Sequence, residues 1–159
     1  MTRTITALDN RLPPDAWRDL GTDIMARLTA LAAITDAEGQ LTRLYLGPAH
    51  RRAVDVVNTW FSAAGLETRL DATGSIVGRY AGLTDDAPTL LLGSHIETVR
   101  NAGIYDGNLG VVTALTVIER LSRARLRLPF AVEVLAFGDE EGVRFASALG
   151  GSRAVAGCF

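Results

Sequence analysis

One histidine and five acidic residues of this 159-residue chain fall in three short polar segments, Ser94-His95-Ile96-Glu97, Tyr105-Asp106-Gly107-Asn108 and Asp139-Glu140-Glu141. Imidazole and carboxylate together form a hard-to-borderline ligand set, suited to Zn²⁺ or to Mn²⁺ or Co²⁺ in the same geometry. His95 and Glu97 are two apart and share a face if an extended strand runs through them. Glu97 is then placed to orient the His95 ring, as carboxylates often do for metal-bound imidazoles. Adjacent Glu140 and Glu141 cannot face the same way on regular structure, so the spacing predicts one metal ligand and one group that addresses water.

The elements that must position these residues are legible as hydrophobic periodicity. Trp17, Leu20, Ile24, Leu28 and Leu31 recur at helical spacing behind Pro13-Pro14 and predict a helix from about Asp15 to Ala33. Pro48 opens a second, to about Ala64, with Ala53, Val56, Val57, Trp60, Phe61 and Ala64 on its stripe and Gly65 as its stop. Leu66–Leu70 and Ser75–Tyr80 predict a hairpin around Asp71 and Gly74. The short apolar runs at 89–93 and 130–137 predict strands buried on both faces. Between them, Asn108 to Arg123 carries Val111, Val112, Leu115, Ile118 and Leu121 at helical spacing. Strand, helix, strand is a βαβ unit, whose ligands gather beyond the carboxyl ends of its parallel strands. All three polar segments fall at that edge. A lone histidine or an Asp-Gly turn is unremarkable; their coincidence at one edge favours a metal site.

Composition narrows the alternatives. Sixteen Lys+Arg against 18 Asp+Glu leave a net charge of −2, without the basic footprint of a nucleic-acid binder. No apolar run approaches the roughly 20 residues that span a bilayer, and Met1 to Trp17 holds no apolar core ahead of a cleavage site. The expectation is a cytoplasmic protein. A single cysteine, Cys158, rules out an internal disulfide or a thiolate zinc cage. His50 is expected to be solvated, the arginines at 120, 123, 125 and 127 to form a solvated edge, and Trp17 and Trp60 to join the core. Gly150 to Ala156 reads as a turn and the start of another helix, after which the chain is expected to be cut short.

Three motifs in order carry a family resemblance: Gly93-Ser94-His95-Ile96-Glu97-Thr98-Val99, Tyr105-Asp106-Gly107-Asn108-Leu109-Gly110-Val111, and Phe137-Gly138-Asp139-Glu140-Glu141-Gly142-Val143-Arg144-Phe145. They resemble the dinuclear-metal M20 peptidase superfamily. The 11-residue step from His95 to Asp106, with Gly151-Ser152-Arg153-Ala154, is similar to its amidase branch, the allantoate amidohydrolases and N-carbamoyl-L-amino-acid hydrolases. The resemblance covers the chain from about Leu41 onward. It implies an α/β fold, the N-terminal part of a zinc-peptidase-like catalytic domain with helices packed on a mixed sheet.

It also implies two divalent metal ions, Zn²⁺ or Mn²⁺. His95 would bind one, Asp106 would bridge both, Glu141 would bind the second, and Glu140 would be the general base. The implied reaction is hydrolysis of a linear C–N bond in a small ureido or carbamoyl compound by a homodimeric enzyme. An aminoacylase or peptidase of the same superfamily, and a non-catalytic fragment, are the alternatives. The sequence departs from the family in two ways. Glu97 stands where the family has Asp, and family members are more than twice as long, with further histidine ligands and a dimerisation domain downstream. With two protein ligands per metal, the 159 residues are expected to be an incomplete enzyme with uncovered apolar surface.

Overall fold

The structure is a computed structural model and describes residues 3–4 and 14–158, with side chains from Arg18 to Cys158. Trp17, expected in the core, therefore has its side chain outside the described residues, as does the reading of Met1 to Trp17.

Three long helices follow the predicted stripes: α1 (Pro14–Ala32), α2 (Pro48–Ala63) and α3 (Asn108–Arg123). The α2 helix starts at Pro48, whose missing N–H costs nothing in a first turn. Its Ala49 N–H is capped from a distance by Asp36 Oδ1 at 2.9 Å. It stops at Gly65, which adopts φ +84° while Leu66 N–H donates back to Phe61 O at 3.0 Å. Only glycine takes that backbone conformation without strain.

The main sheet has the order β2-β3-β6-β4, from β2 (Glu67–Leu70), β3 (Ile76–Tyr80), β4 (Thr89–His95) and β6 (Ala131–Phe137). The β2–β3 hairpin is antiparallel, as is β3–β6, whereas β6 and β4 run parallel with α3 between them. This is the mixed α/β sheet and the βαβ unit that the sequence implied. A two-residue strand, β1 (Arg3–Thr4), pairs with β5 (Leu126–Arg127). A short helix, α4 (Gly150–Val155), follows the polar segment after β6.

The core gathers Leu28 and Leu31 of α1, Val57 and Phe61 of α2, and Val111, Val112, Leu115 and Ile118 of α3. These meet Ile76, Tyr80, Val132, Val134 and Ala136 on one sheet face. Trp60 packs against this cluster half-buried, beneath the Arg27 guanidinium. No helix among the described residues is long and apolar enough to cross a membrane.

Three expectations are corrected. The β4 strand is not covered on both faces: it is the sheet's edge, paired on one side only, and Leu90 and Leu91 are 46% and 49% exposed. A continuous apolar run marks a strand that can be buried, while the order of strands decides whether it is. His50 is not solvated but 2% exposed. Its ring packs edge-on to Tyr45, and Nδ1 accepts the Leu46 N–H at 3.3 Å. The arginine edge is only partly solvated. Arg120 pairs with Asp23, Arg123 with Glu119, and Arg127 lies over the Tyr80 ring.

Candidate metal centre

His95 is the last residue of β4, Asp106 precedes α3 by two residues, and Glu140 and Glu141 follow β6 by three and four. The parallel β4–β6 pairing, with Ser94 opposite Ala136 and His95 opposite Phe137, brings both strand ends to one edge. The α3 N-terminus returns to that edge and supplies Asp106. One donor atom each from His95, Asp106 and Glu141 lies within 4.8 Å of the others.

The imidazole is oriented by the backbone. His95 Nδ1 lies 3.0 Å from the Glu97 carbonyl oxygen, which can only accept, so Nδ1 carries the proton and donates it. In the neutral ring the Nε2 lone pair then faces the carboxylates: Asp106 Oδ1 at 3.6 Å, Glu140 Oε2 at 3.8 Å and Glu141 Oε1 at 4.0 Å. These groups all offer electron pairs. Such a set is mutually repulsive unless a cation or a proton lies among its members, and its nitrogen and oxygen donors fit a divalent metal ion.

The turn that carries Asp106 is built around Gly107. Asn108 N–H donates to Asp106 O at 2.7 Å across Gly107, whose φ of +65° and ψ of −52° make this a γ-turn of the positive-φ kind. A Cβ on Gly107 would sit 2.5 Å from Cε1, Nδ1 and the carbonyl oxygen of His95. Ser94 Oγ donates to Gly107 O at 2.8 Å and ties the turn to the strand end. Glycine is thus needed both for conformation and for the close approach of the imidazole.

Glu97 departs from its expected use. Its carboxylate is buried and does not touch the His95 ring. Oε1 instead accepts the backbone N–H of Glu140, in a short contact, and of Glu141 at 3.3 Å. Its second oxygen, Oε2, is buried without a partner among the described residues. The sequence spacing is right and the contacting atom is different: the peptide of Glu97 orients the ring, while its longer side chain reaches the next strand's turn. Burial raises the Glu97 pKa, against the two amide contacts and the nearby His95, which lower it.

Glu140 and Glu141 also depart from expectation, because the segment after β6 is irregular. Asp139 takes φ +60°, and the amides of Leu149 and Gly150 donate to the carbonyls of Glu140 and Asp139. On that bent backbone both carboxylates reach His95. Burial raises the Glu141 pKa most; Asp106 and Glu140 add to the rise and His95 opposes it. His50 belongs to no such grouping. Cys158 is exposed.

Sequence reasoning missed Arg43, which is fully buried beneath these turns. Its only local signal is a charge inside the mostly apolar Leu41–Leu46 stretch.

Residues 75–157, more than half of the chain, match the family model for peptidase family M28. The chain belongs to that family. Its relatives are the amidohydrolases that the motifs suggested, although the matching model carries the M28 name rather than M20. The chain is 42% identical over 148 residues to allantoate deiminase 1 of Glycine max, covering 91% of this chain and 30% of that protein. It is 38% identical over 138 residues to the N-carbamoyl-L-amino acid amidohydrolase of Geobacillus stearothermophilus, covering 86% and 34%. Among solved structures, a hydantoinase/carbamoylase family amidase from Burkholderia ambifaria matches with a TM-score of 0.83 and 32% identity, over 89% of this chain and 36% of that one. The chain thus spans about 30% of the length of the curated relatives it matches.

Proposed function

We propose that these 159 residues are part of the catalytic domain of a metal-dependent amidohydrolase that cleaves a linear C–N bond in allantoate or an N-carbamoyl amino acid. The observation that carries this reading is the convergence of His95 Nε2 and three carboxylates within 4.0 Å of it at one sheet edge, three of them with donor atoms close enough to share one ion. The names of the relatives support the substrate class. His95 and Asp106 would hold one divalent ion, Zn²⁺ or Mn²⁺, and Asp106 and Glu141 a second. The remaining ligands and a dimerisation domain would come from sequence outside this segment.

A divalent ion there supplies Lewis-acid polarisation of the substrate carbonyl and acidifies water. The chain's own residues do the rest. The Glu97 carbonyl holds the neutral His95 ring in the tautomer that presents Nε2 to the centre. The Glu97 carboxylate grips the Glu140 and Glu141 amides and fixes where their side chains start. Glu140, half-buried and 3.8 Å from Nε2, is placed to take a proton from the attacking water and pass it to the departing nitrogen. Loss of the carbamoyl group as ammonia and carbon dioxide leaves an amine.

In an enzyme containing this segment, Glu140→Gln should retain metal and lose about 10²- to 10⁴-fold in turnover. Glu141→Ala should lose metal. Equal metal loss in both would show that the two roles are misassigned. The family model favours a second reading, a peptidase or aminoacylase. Ammonia release from N-carbamoyl amino acids or allantoate, with no cleavage of N-acyl amino acids or dipeptides, decides for the first reading, and the reverse decides for the second.

A further inference from the structure

Arg43 is fully buried, yet no carboxylate accepts from it. Its donors go to neutral oxygens on three separate elements. Nη1 donates to Leu31 O at 2.6 Å and Ile34 O at 2.9 Å, at the C-terminal end of α1. Nε donates to Ile96 O at 2.7 Å, and Nη2 to Asn108 Oδ1 at 2.8 Å. Helix C-termini carry free carbonyls and a partial negative charge, so a cation there is favourable. Burial pulls the Arg43 pKa down to about 10, opposed by Glu97 and Asp36, and the group stays charged at neutral pH.

Two of these acceptors belong to the turns that carry the candidate ligands. Ile96 lies between His95 and Glu97, and its peptide is held on both sides: its N–H donates to Phe137 O at 3.1 Å while its carbonyl takes Arg43. Asn108 makes the second link. A guanidinium can only donate, so the amide oxygen of Asn108 must face Arg43. That leaves Nδ2 facing Asp106 O, which it meets at 3.0 Å beside the Asn108 N–H at 2.7 Å. Arg43 therefore fixes the rotamer of Asn108, and Asn108 fixes the peptide of Asp106. Residue 43 is also locked to the strand-end loop by its own backbone, through Arg43 N–H to Thr98 Oγ1 and Thr98 N–H to Arg43 O, each 2.9 Å.

We propose that Arg43 is a positioning residue for the metal centre, whose buried guanidinium sets the spacing between the His95 turn and the Asp106 turn. The inference rests on the metal reading above. It predicts an effect on metal affinity that a purely structural arginine would not have, because outer contacts of ligand residues typically tune affinity by about 10- to 100-fold.

The test is titration of a metal-free enzyme containing this segment with Co²⁺, followed by its visible absorption, with circular dichroism to verify folding. The enzyme should show saturable bands that His95→Ala abolishes. Folded Arg43→Met should bind roughly 10- to 100-fold more weakly, with shifted bands. If Arg43→Met does not fold, Asn108→Ala decides by the same criterion, because it cuts the link to Asp106 while leaving the other Arg43 contacts. Wild-type affinity and bands in the deciding variant would overturn the positioning role and leave the metal reading intact. Absence of binding in that wild-type enzyme, or equal binding in its His95→Ala variant, would overturn the metal reading and this proposal with it.

Discussion

Around Arg43 a donor-only group meets four neutral acceptors at 2.6–2.9 Å. A few residues away, His95 Nε2 faces three carboxylates at 3.6–4.0 Å, none within direct hydrogen-bonding distance of it. Both regions are polar and both draw on the strand-end loop and the start of α3. In the first every guanidinium nitrogen has an acceptor, and a well-satisfied buried network rigidifies what it touches. The second stays repulsive until something positive enters. The contrast supports the proposed division into scaffold and site: a satisfied network fixes positions, and a cluster of carboxylates around an imidazole is a candidate place for a cation.

The seam between the two regions is Gly107, so the largest effect is expected there. Gly107→Ala forces a side chain into a positive-φ γ-turn and drives its Cβ to 2.5 Å from the His95 ring and carbonyl. Backbone strain of about 1–3 kcal/mol and overpacking of a similar size add to about 2–6 kcal/mol of lost stability. Denaturant unfolding of the chain should show this loss, and the Co²⁺ absorption of the surviving folded fraction should change. A loss below 1 kcal/mol with unaltered Co²⁺ bands would mean that the two regions do not meet at this residue.

His50 lies between the two cases: Nδ1 accepts the Leu46 N–H, and Nε2 is buried without a partner among the described residues. Burial, with Arg43 adding to it, depresses its pKa to about 4 from the ordinary 6.5. Above pH 6.5 the ring is neutral in both folded and unfolded chains and contributes no pH dependence. Between 6.5 and 4 the unfolded chain binds a proton that the folded chain refuses, so stability falls with pH, by about 3 kcal/mol in all. Burial raises the pKa values of Glu97, Asp139 and Glu141, which works in the opposite direction as pH falls. The His50 contribution is therefore read as the difference between wild type and His50→Gln across pH 4–7. A difference that does not vary with pH would show that the ring is protonated in the folded state or reached by solvent.

These contrasts also mark what could be seen in the sequence. The stripes of α2 and α3, the Gly65 stop and the βαβ unit are local signals, and each holds in the structure. The meeting of His95, Asp106 and Glu141 followed from them, because strand ends and a helix start converge by topology. What escaped depends on partners far away in sequence. Arg43 finds Ile96 and Asn108 at separations of 53 and 65 residues, and Glu97 finds the Glu140 amide at 43. Periodicity marks Leu90 and Leu91 as strand residues but cannot say that β4 ends the sheet. Nor can it say that the first turn of α2 lies against Tyr45 and buries His50.

The smallest effect is expected where a charged pair has neither burial nor a network. Arg120 Nη2 and Asp23 Oδ2 are 2.6 Å apart, a shorter contact than three of the four that Arg43 makes, yet both side chains are 43% exposed. Water already solvates both ions, salt screens them, and two flexible side chains must be held still to form the pair. Arg120→Ala should therefore cost only about 0.2–1 kcal/mol, and raising the ionic strength should shrink even that. Co²⁺ affinity should not change, since the pair joins α1 to α3 on the outside and reaches neither ligand-bearing turn. A loss of stability as large as that of Gly107→Ala would show that distance, rather than burial and saturation, governs the polar contacts of this chain. The distinction between its two polar regions would then have no energetic basis.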